Sequence, residues 1–173
     1  WLNMEEGEDT QKEIAKKVKY LFILGDIVDG VGIYPEQDKE LIIQDIHEQY
    51  STCAELLKKI RKDIKIIICP GDHDASRISE PQPPLNKEFT KDLYEMENVI
   101  MVNNPETVNI HASENFDGFN ILLYHGRSFT YYISNIDSIR NKGGFNGVDL
   151  IMGLLLQKRH LAPSHGSSLY IPN

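Results

Sequence analysis

Residues 20–30 have the sequence YLFILGDIVDG, in which a continuous apolar run stops at a glycine and is followed by two aspartates, Asp26 and Asp29. Five apolar or aromatic residues without alternation predict a strand that is covered on both faces, as in the parallel sheets of α/β proteins. Ligands of such proteins gather outside the carboxyl ends of the strands. The stretch therefore predicts a buried strand that delivers carboxylates to a site.

Two later stretches repeat this pattern. Residues 64–74 (IKIIICPGDHD) and residues 120–127 (NILLYHGR) each pass from an apolar run into a loop with acids or a histidine. Divalent ions such as Mn²⁺ and Mg²⁺ prefer carboxylate oxygen, and an imidazole ligand extends the choice toward manganese, iron and zinc. Three strand ends of this kind predict a divalent-metal site formed by Asp26, Asp72 and His125.

The remaining polar side chains of these loops are expected to serve the same site. Two ions that share a carboxylate, for which Asp26 is the expected ligand, can activate water and hold the attacking and leaving oxygens of a phosphodiester. His73, which has an acid on either side, is the expected catalytic residue, donating a proton to the leaving group or stabilising phosphoryl oxygens. Asp29 and Asp74 are expected to accept hydrogen bonds that orient the ligands. Taken alone, each residue has an alternative role as a turn aspartate or a loop histidine.

The composition is that of an ordinary globular protein, with 173 residues, 40% hydrophobic and 25% charged residues. A formal charge of −8 argues against a stand-alone nucleic-acid binder, although a bound metal changes that sum locally. No apolar run approaches the roughly 20 residues of a membrane helix, and the first residues lack the features of a signal peptide, so a cytoplasmic protein without membrane contact is expected. Cys53 and Cys69 are expected to be buried free thiols.

The chain is expected to form a single, partial domain over residues 1–173, with an acidic lead-in and helix end over 1–17, a core over 18–158 and an irregular tail over 159–173. Apolar residues at three- and four-residue spacing predict a long helix over 38–61. The other predicted elements are helices over 86–96, 134–140 and 148–158, and strands over 99–102, 107–111 and 119–124.

Some side chains outside the strand ends leave two roles open. A basic cluster at the end of the predicted long helix favours a solvated face, with contact to a DNA backbone as the alternative. A tyrosine pair could stack on nucleic-acid bases or pack in the core. Four histidines without a strand-end setting are expected to be structural or on the surface. These groups are Lys58, Lys59, Arg61, Lys62 and Lys65; Tyr131 and Tyr132; and His47, His111, His160 and His165.

The loop motifs resemble those of the calcineurin-like metallophosphoesterases, whose signature runs D-x-H, GDxxD, GNH[DE], a single His and GHxH. Residues 25–29 match the second element, residues 71–74 match the third with one change, and His125 matches the fourth. The resemblance implies an α/β fold of two packed mixed β-sheets flanked by helices (α-β-β-α), present here in incomplete form.

Further loops are similar to those of a narrower family, the small subunits of archaeal family-D DNA polymerases. The similarity extends over about residues 18–172, and its most specific stretches are GIYP at 32–35, EPQP at 80–83, HGRS at 125–128 and RHLAP at 159–163. It implies a manganese-dependent 3′-5′ exonuclease that proofreads for a large catalytic polymerase subunit. The implied substrate is DNA, single-stranded or with a mispaired 3′ end.

Two departures from the family pattern bear on this expectation. Asp72 stands where the family has asparagine, which keeps an oxygen ligand but adds a negative charge. The D-x-H element that precedes GDxxD and the GHxH element that follows the single histidine are absent from residues 1–173. The chain is therefore expected to be the middle part of a catalytic domain that alone binds metal poorly and is inactive.

Two other functions compete with the exonuclease. The first is a catalytically inactive scaffold subunit of a DNA polymerase, as in the accessory subunits of eukaryotic replicative polymerases that resemble this fold. The second is a phosphoesterase that acts on small molecules. Manganese-dependent nuclease activity of the intact protein discriminates the exonuclease from the scaffold. Hydrolysis of a chromogenic phosphodiester without action on DNA would favour the small-molecule enzyme.

Overall fold

The computed structural model describes residues 1–164 and 166–171. The chain forms two compact units: the first comprises Trp1–Arg77 and Gln82–His125, and the second comprises Ile78–Pro81 and Gly126–Asn173. Each unit has its own buried apolar cluster. The single domain expected over residues 1–173 stays a prediction. The expected role of His165 and the end of the expected irregular tail lie outside the described residues.

The first unit contains both sheets. Strands β1 (Tyr20–Leu24), β2 (Lys65–Cys69) and β3 (Val99–Met101) form a parallel sheet in the order β1-β2-β3. Strands β4 (Glu106–Ile110) and β5 (Phe119–Leu123) form an antiparallel pair. Parallel and antiparallel sheets flanked by helices confirm the expected α/β fold class.

β2 is the buried strand of the parallel sheet. Ile66 and Ile68 are fully buried in a core that includes Tyr50 of the helix preceding β2, so the continuous apolar run of β2 matches its setting. The same expectation for β1 was wrong, because its residues are only half-buried and Leu24 is 43% exposed. Among the described residues β1 pairs only with β2, so it is an edge strand of this sheet.

The helices are short in both units. The first unit has α1 (Asp9–Lys17), α2 (Ile46–Leu57), α3 (Lys91–Tyr94) and a 3-10 turn at Gln37–Lys39. The second has α4 (Phe129–Asn135), α5 (Asp137–Arg140), α6 (Val148–Lys158) and a 3-10 turn at Gly144–Asn146. Within residues 1–164 and 166–171, no helix has the length and apolar character needed to cross a membrane.

The helix predicted over residues 38–61 was wrong at both ends, since α2 runs from Ile46 to Leu57. Asp45 is the N-cap residue at which α2 begins, because its side chain accepts a hydrogen bond from the main-chain N–H of Glu48 at 2.9 Å. Ile42, which the periodic pattern placed on the apolar stripe, is 99% exposed.

The other predicted helices differ in their agreement with the structure. The helix over residues 148–158 is confirmed without change. The helix predicted over 134–140 is divided between α4 and α5, and the one over 86–96 is reduced to the single turn of α3. The predicted strands are each one residue shorter or shifted by one residue.

Several open side-chain roles are decided by packing. Tyr132 is buried and its hydroxyl accepts a hydrogen bond from the Ser164 main-chain N–H at 3.1 Å, and Tyr131 packs against the same cluster, which favours the core role. In the basic cluster, Lys58 forms a 2.8 Å ion pair with Glu55 on an exposed face. Arg61 differs, because its guanidinium donates to two main-chain carbonyls of the first unit.

Both cysteines are free thiols, as expected. Cys69 is completely buried at the end of β2, whereas Cys53 on α2 is only half-buried, which corrects the expectation for that residue. Burial raises the pKa of both thiols above the usual value.

Candidate metal centre

The loops that follow β1, β2 and β5 bring Asp26, Asp72 and His125 together. One ligand atom from each of these side chains lies within 4.8 Å of the other two. The His125 Nε2 atom is 2.8 Å from Asp72 Oδ1 and 3.6 Å from Asp26 Oδ2. Leu24 and Cys69 pair at the carboxyl ends of two parallel strands, so the loops after them leave the same edge of the sheet. The role of Asp26, Asp72 and His125 as metal ligands stays a prediction.

Two glycines allow the first two loops to touch. A Cβ atom on Gly25 would lie 2.5 Å from the Gly71 Cα atom, and one on Gly71 would lie 2.2 Å from Asp26 Oδ1. Real Cβ atoms do not approach so closely, so both positions require glycine. Asp26 itself has φ +51°, a left-handed conformation that aspartate tolerates better than most residues.

Asp74 connects these two loops through hydrogen bonds to the main chain of each. Its Oδ2 atom accepts hydrogen bonds from the main-chain N–H groups of Asp26 and Gly71, both at 2.8 Å, and its Oδ1 atom accepts one from the Tyr50 hydroxyl at 3.1 Å. Burial raises the pKa of Asp74, and the hydrogen bonds from Gly71 and Tyr50 oppose that rise. The orienting role expected for Asp74 stays a prediction, and these hydrogen bonds are the contacts through which it would act.

His73 lies beside the cluster and is held at both ends. Its main-chain N–H donates to Asp26 Oδ1, and its ring Nδ1 is 2.9 Å from the Asp29 carbonyl oxygen. A carbonyl only accepts, so Nδ1 carries the hydrogen and Nε2 is the ring atom available to a substrate. Asp29 accepts this hydrogen bond with its main-chain oxygen, to which Gln37 also donates, and the orienting role expected for Asp29 stays a prediction.

The ring of His125 is oriented by the strand before the first aspartate. Its Nδ1 atom is 2.6 Å from the Leu24 carbonyl oxygen, so Nδ1 donates and Nε2 faces Asp72 and Asp26. Burial acts to lower the pKa of His125, but the hydrogen bonds with Leu24 and Asp72 and the charge of Asp26 outweigh burial, and the net pKa is raised.

This donor set fits a divalent cation. Two carboxylates whose oxygens lie 2.8 Å and 3.6 Å from one imidazole nitrogen concentrate negative charge, and both contribute to the raised pKa of His125 beside the hydrogen bond with Leu24. Once Nε2 has lost its proton, it offers a lone pair to the same space that both carboxylates face. Mixed oxygen and imidazole ligands suit manganese, iron or zinc.

Three residues that support the site were missed in the sequence. Tyr50 belongs to the apolar stripe of α2, so nothing in its spacing distinguished it from a core residue. Gln82 and Asn104 are buried, and they connect Gly71 with the main chain of His125. Gln82 belongs to the EPQP stretch that supported the family resemblance, which was the one available indication.

Comparison with known proteins places the chain in a family. The family profile described as Calcineurin-like phosphoesterase matches residues 5–170. The chain therefore belongs to the calcineurin-like phosphoesterases, as its motifs had indicated.

The individual relatives carry a more specific name than the family. The chain is 48% identical over 166 residues to the DNA polymerase II small subunit of Methanothermobacter thermautotrophicus, which covers 96% of this chain and 32% of that protein. It is 43% identical over 166 residues to the protein of the same name from Archaeoglobus fulgidus, with 96% and 32% covered. It is 39% identical over 172 residues to the DNA polymerase II small subunit of Pyrococcus abyssi, an alignment that covers 99% of this chain and 26% of that protein. The chain thus spans about a third or less of these relatives, and the expected resemblance is confirmed.

Proposed function

We propose that this chain supplies the metal-holding part of a 3′-5′ exonuclease subunit of a replicative DNA polymerase. The enzyme would hydrolyse phosphodiester bonds at single-stranded or mispaired 3′ ends of DNA, in the cytoplasm, next to a large catalytic subunit. The convergence of Asp26, Asp72 and His125 within 4.8 Å is the observation that carries the proposal. Similarity to proteins named DNA polymerase II small subunit supports the choice of DNA as substrate.

Asp26, Asp72 and His125 would hold the divalent metal, for which we propose Mn²⁺, with Asp26 shared if two ions bind. The metal would supply Lewis-acid activation of water and neutralisation of phosphate charge. The chain prepares these ligands in advance: the Leu24 carbonyl keeps His125 Nε2 directed at the carboxylates, and Asp74 fixes the loop of Asp26 against Gly71.

His73 is the proposed acid. Hydrolysis from a 3′ end breaks the bond between phosphorus and the 3′ oxygen of the preceding nucleotide, and that oxygen must receive a proton. Nδ1 of the His73 ring donates to the Asp29 carbonyl, so only the protonated ring carries a second proton on Nε2; in that form Nε2 would donate to this oxygen or to the phosphoryl oxygens. The His73 main chain also contacts Asp26 Oδ1, so the acid and a metal ligand are linked directly.

The test uses the full-length product of the gene that encodes this chain, purified without metal and incubated with Mn²⁺ and 5′-labelled single-stranded DNA. We expect stepwise shortening of the DNA that chelation stops. His73→Asn should slow shortening while leaving Mn²⁺ affinity within about twofold, because the variant retains the main-chain contact to Asp26 but carries no acid at this position. No shortening by the wild-type protein, or equal shortening after Asp72→Ala, would refute the exonuclease.

One observation favours a second function, an inactive scaffold subunit of the polymerase. Asp72 and Asp26 both face the His125 ring, and a carboxylate rather than an amide at position 72 adds negative charge where a phosphate would have to approach. A scaffold would bind Mn²⁺ and the large subunit but release no nucleotides. In the same assay, Asp72→Asn would then gain no activity, whereas an exonuclease limited by charge would become faster.

A further inference from the structure

Two buried amide side chains, Gln82 and Asn104, stand between two loops of the metal centre. Gln82 is 3% exposed and Asn104 is fully buried. Their main chains are paired, with Gln82 N–H donating to the Asn104 carbonyl at 2.7 Å and Asn104 N–H donating to the Gln82 carbonyl at 3.0 Å. The pair therefore forms one rigid connection inside the first unit.

The side chains extend this connection to both loops. Gln82 Nε2 donates to the carbonyls of Gly71 and Arg77, both at 2.9 Å, and Gln82 Oε1 accepts from Asn104 Nδ2 at 2.6 Å. Asn104 Oδ1 then accepts from the main-chain N–H of His125 at 2.9 Å. Turning either amide over would place oxygen against oxygen or nitrogen against nitrogen, so the direction of the whole chain of bonds is fixed.

The bonds end on the metal centre itself. Gly71 directly precedes Asp72, and its peptide N–H is already bound by Asp74, so the bridge fixes the same residue from the other side. At the far end the bridge holds the main chain of His125, whose ring meets Asp72 at 2.8 Å. Two candidate ligands from distant parts of the sequence are thereby connected through two residues that are not candidate ligands themselves.

We infer that Gln82 and Asn104 are positioning residues that set the separation of Asp72 from His125 and thereby the metal affinity of the site. This inference rests on the proposed function, because it assumes that these ligands bind a divalent ion. An outer partner of a metal ligand typically contributes about 10–100-fold in affinity. The bridge reaches one ligand through its own main chain and the other through the adjacent glycine, so effects of this size are expected from either amide.

The experiment measures Mn²⁺ dissociation constants of the full-length gene product by electron paramagnetic resonance, and the exchange rate of the His125 main-chain amide in the metal-free protein. The variants are Asn104→Ala and Gln82→Met, the latter of similar length but without hydrogen-bonding groups. The matched control is Asn98→Ala. Asn98 is also buried, and its Nδ2 donates to the Ile64 carbonyl at 2.9 Å. These two residues directly precede β3 and β2, at the strand ends opposite to the metal centre.

Both bridge variants should bind Mn²⁺ about 10–100-fold more weakly, and the Asn98→Ala protein should remain within about twofold of the wild type. Asn104→Ala should also accelerate exchange of the His125 amide selectively. A general loss of stability, as expected for Asn98→Ala, would not single out this amide. If Asn104→Ala does not fold, Gln82→Met decides.

Two outcomes are distinguishable as failures. A wild-type protein that binds no Mn²⁺ overturns the proposed function and this inference with it. A wild-type protein that binds, together with unchanged affinity in the folded bridge variants, overturns this inference alone.

Discussion

Asp26 combines three demands in one residue. Its backbone is left-handed, its Oδ1 accepts the His73 main-chain N–H, and its Oδ2 lies 3.6 Å from His125 Nε2. Only the third demand requires a negative charge. Asparagine also tolerates the left-handed region and offers a side-chain oxygen, so it can separate the charge from the shape.

The first prediction follows from this separation. Asp26→Asn should keep the melting temperature within a few degrees but weaken Mn²⁺ binding by more than the roughly 10–100-fold typical of an outer partner. Isothermal titration and thermal unfolding of the two proteins measure this. Asp38→Asn, on an exposed acid outside the site, is the control. Equal Mn²⁺ affinity of the Asp26→Asn and wild-type proteins would contradict Asp26 as a ligand.

A second residue-scale prediction concerns Cys69. Burial raises its pKa from 9.0 to about 11, so the folded chain keeps this proton where the unfolded chain has lost it. The folded state then binds more protons, and the free energy of unfolding falls as pH rises through that window, by at most about 3 kcal/mol. Below pH 9 the contribution is fully present.

Urea unfolding of the wild-type and Cys69→Ala proteins at several pH values checks this. Other groups titrate in the same range, so the informative quantity is the difference between the two proteins. The stability advantage of the wild-type protein should shrink from pH 9 to about pH 11. A difference that stays constant with pH would show that the thiol does not ionise differently in the folded state.

At the scale of single residues, the sequence predicted the candidate ligands and the neighbouring Asp29 and Asp74, but it did not assign the more distant Tyr50, Gln82 and Asn104 to the site. Apolar runs that end in acids identify strand ends, and parallel pairing brings such ends together. The contacts of Tyr50 with Asp74 and of Gln82 with Asn104 join residues far apart in the sequence through side-chain geometry. No local periodicity encodes a contact of that kind, so these supports appeared only in the structure.

Helix α2 shows how one element departs from its apolar pattern. Ile42 continues the three- and four-residue spacing, yet it is exposed, because Asp45 takes the N-cap position and the chain before it is not helical. An N-cap competes with helix continuation by offering its side-chain oxygen to the main chain. The pattern predicted the existence and face of the helix, and the cap decided its start.

The third prediction tests this start. Asp45→Ala removes the acceptor for the Glu48 N–H and should lower the free energy of unfolding by about 0.5–2 kcal/mol. Asp38→Ala, at the position where the periodic pattern placed the helix start, should change it by less than about 0.5 kcal/mol. Chemical denaturation of both variants decides between the two starts. Equal losses would favour the longer helix.

The parallel sheet shows that an apolar run predicts a strand but not how deeply the strand is buried. The runs of β1 and β2 are both continuously apolar, but β2 lies between two neighbouring strands and is mostly buried, whereas the residues of β1 are only half-buried. Burial of a strand depends on its place in the sheet order, and that order is set by the rest of the chain. Sequence therefore predicted both strands, while their exposure differed.

In the whole molecule, every candidate ligand lies in the first unit together with both sheets. The net charge of −8 makes the chain unattractive to a polyanion, so the local charge at the three ligands matters for any phosphate substrate. A divalent ion bound there would reverse that local sign.

The fourth prediction is made at this scale. A ligand that binds only the folded state stabilises it, by about 2.7 kcal/mol at a free concentration roughly 100 times its dissociation constant. Saturating Mn²⁺ should therefore raise the melting temperature by roughly 5–10 °C, and chelation should reverse the rise. The Asp26→Asn protein should melt at one temperature with or without Mn²⁺. An equal rise in both proteins would mean that the ion binds elsewhere.

The contact between Gly25 and Gly71 has a consequence for how this sequence can vary. In a randomised library selected only for folding, both positions should return glycine, since even a methyl group collides with the opposing main chain. Asp26 should drift to asparagine under the same selection and return to aspartate only when survival depends on the metal. Two selection regimes applied to one library would thus separate steric from chemical constraint at neighbouring codons.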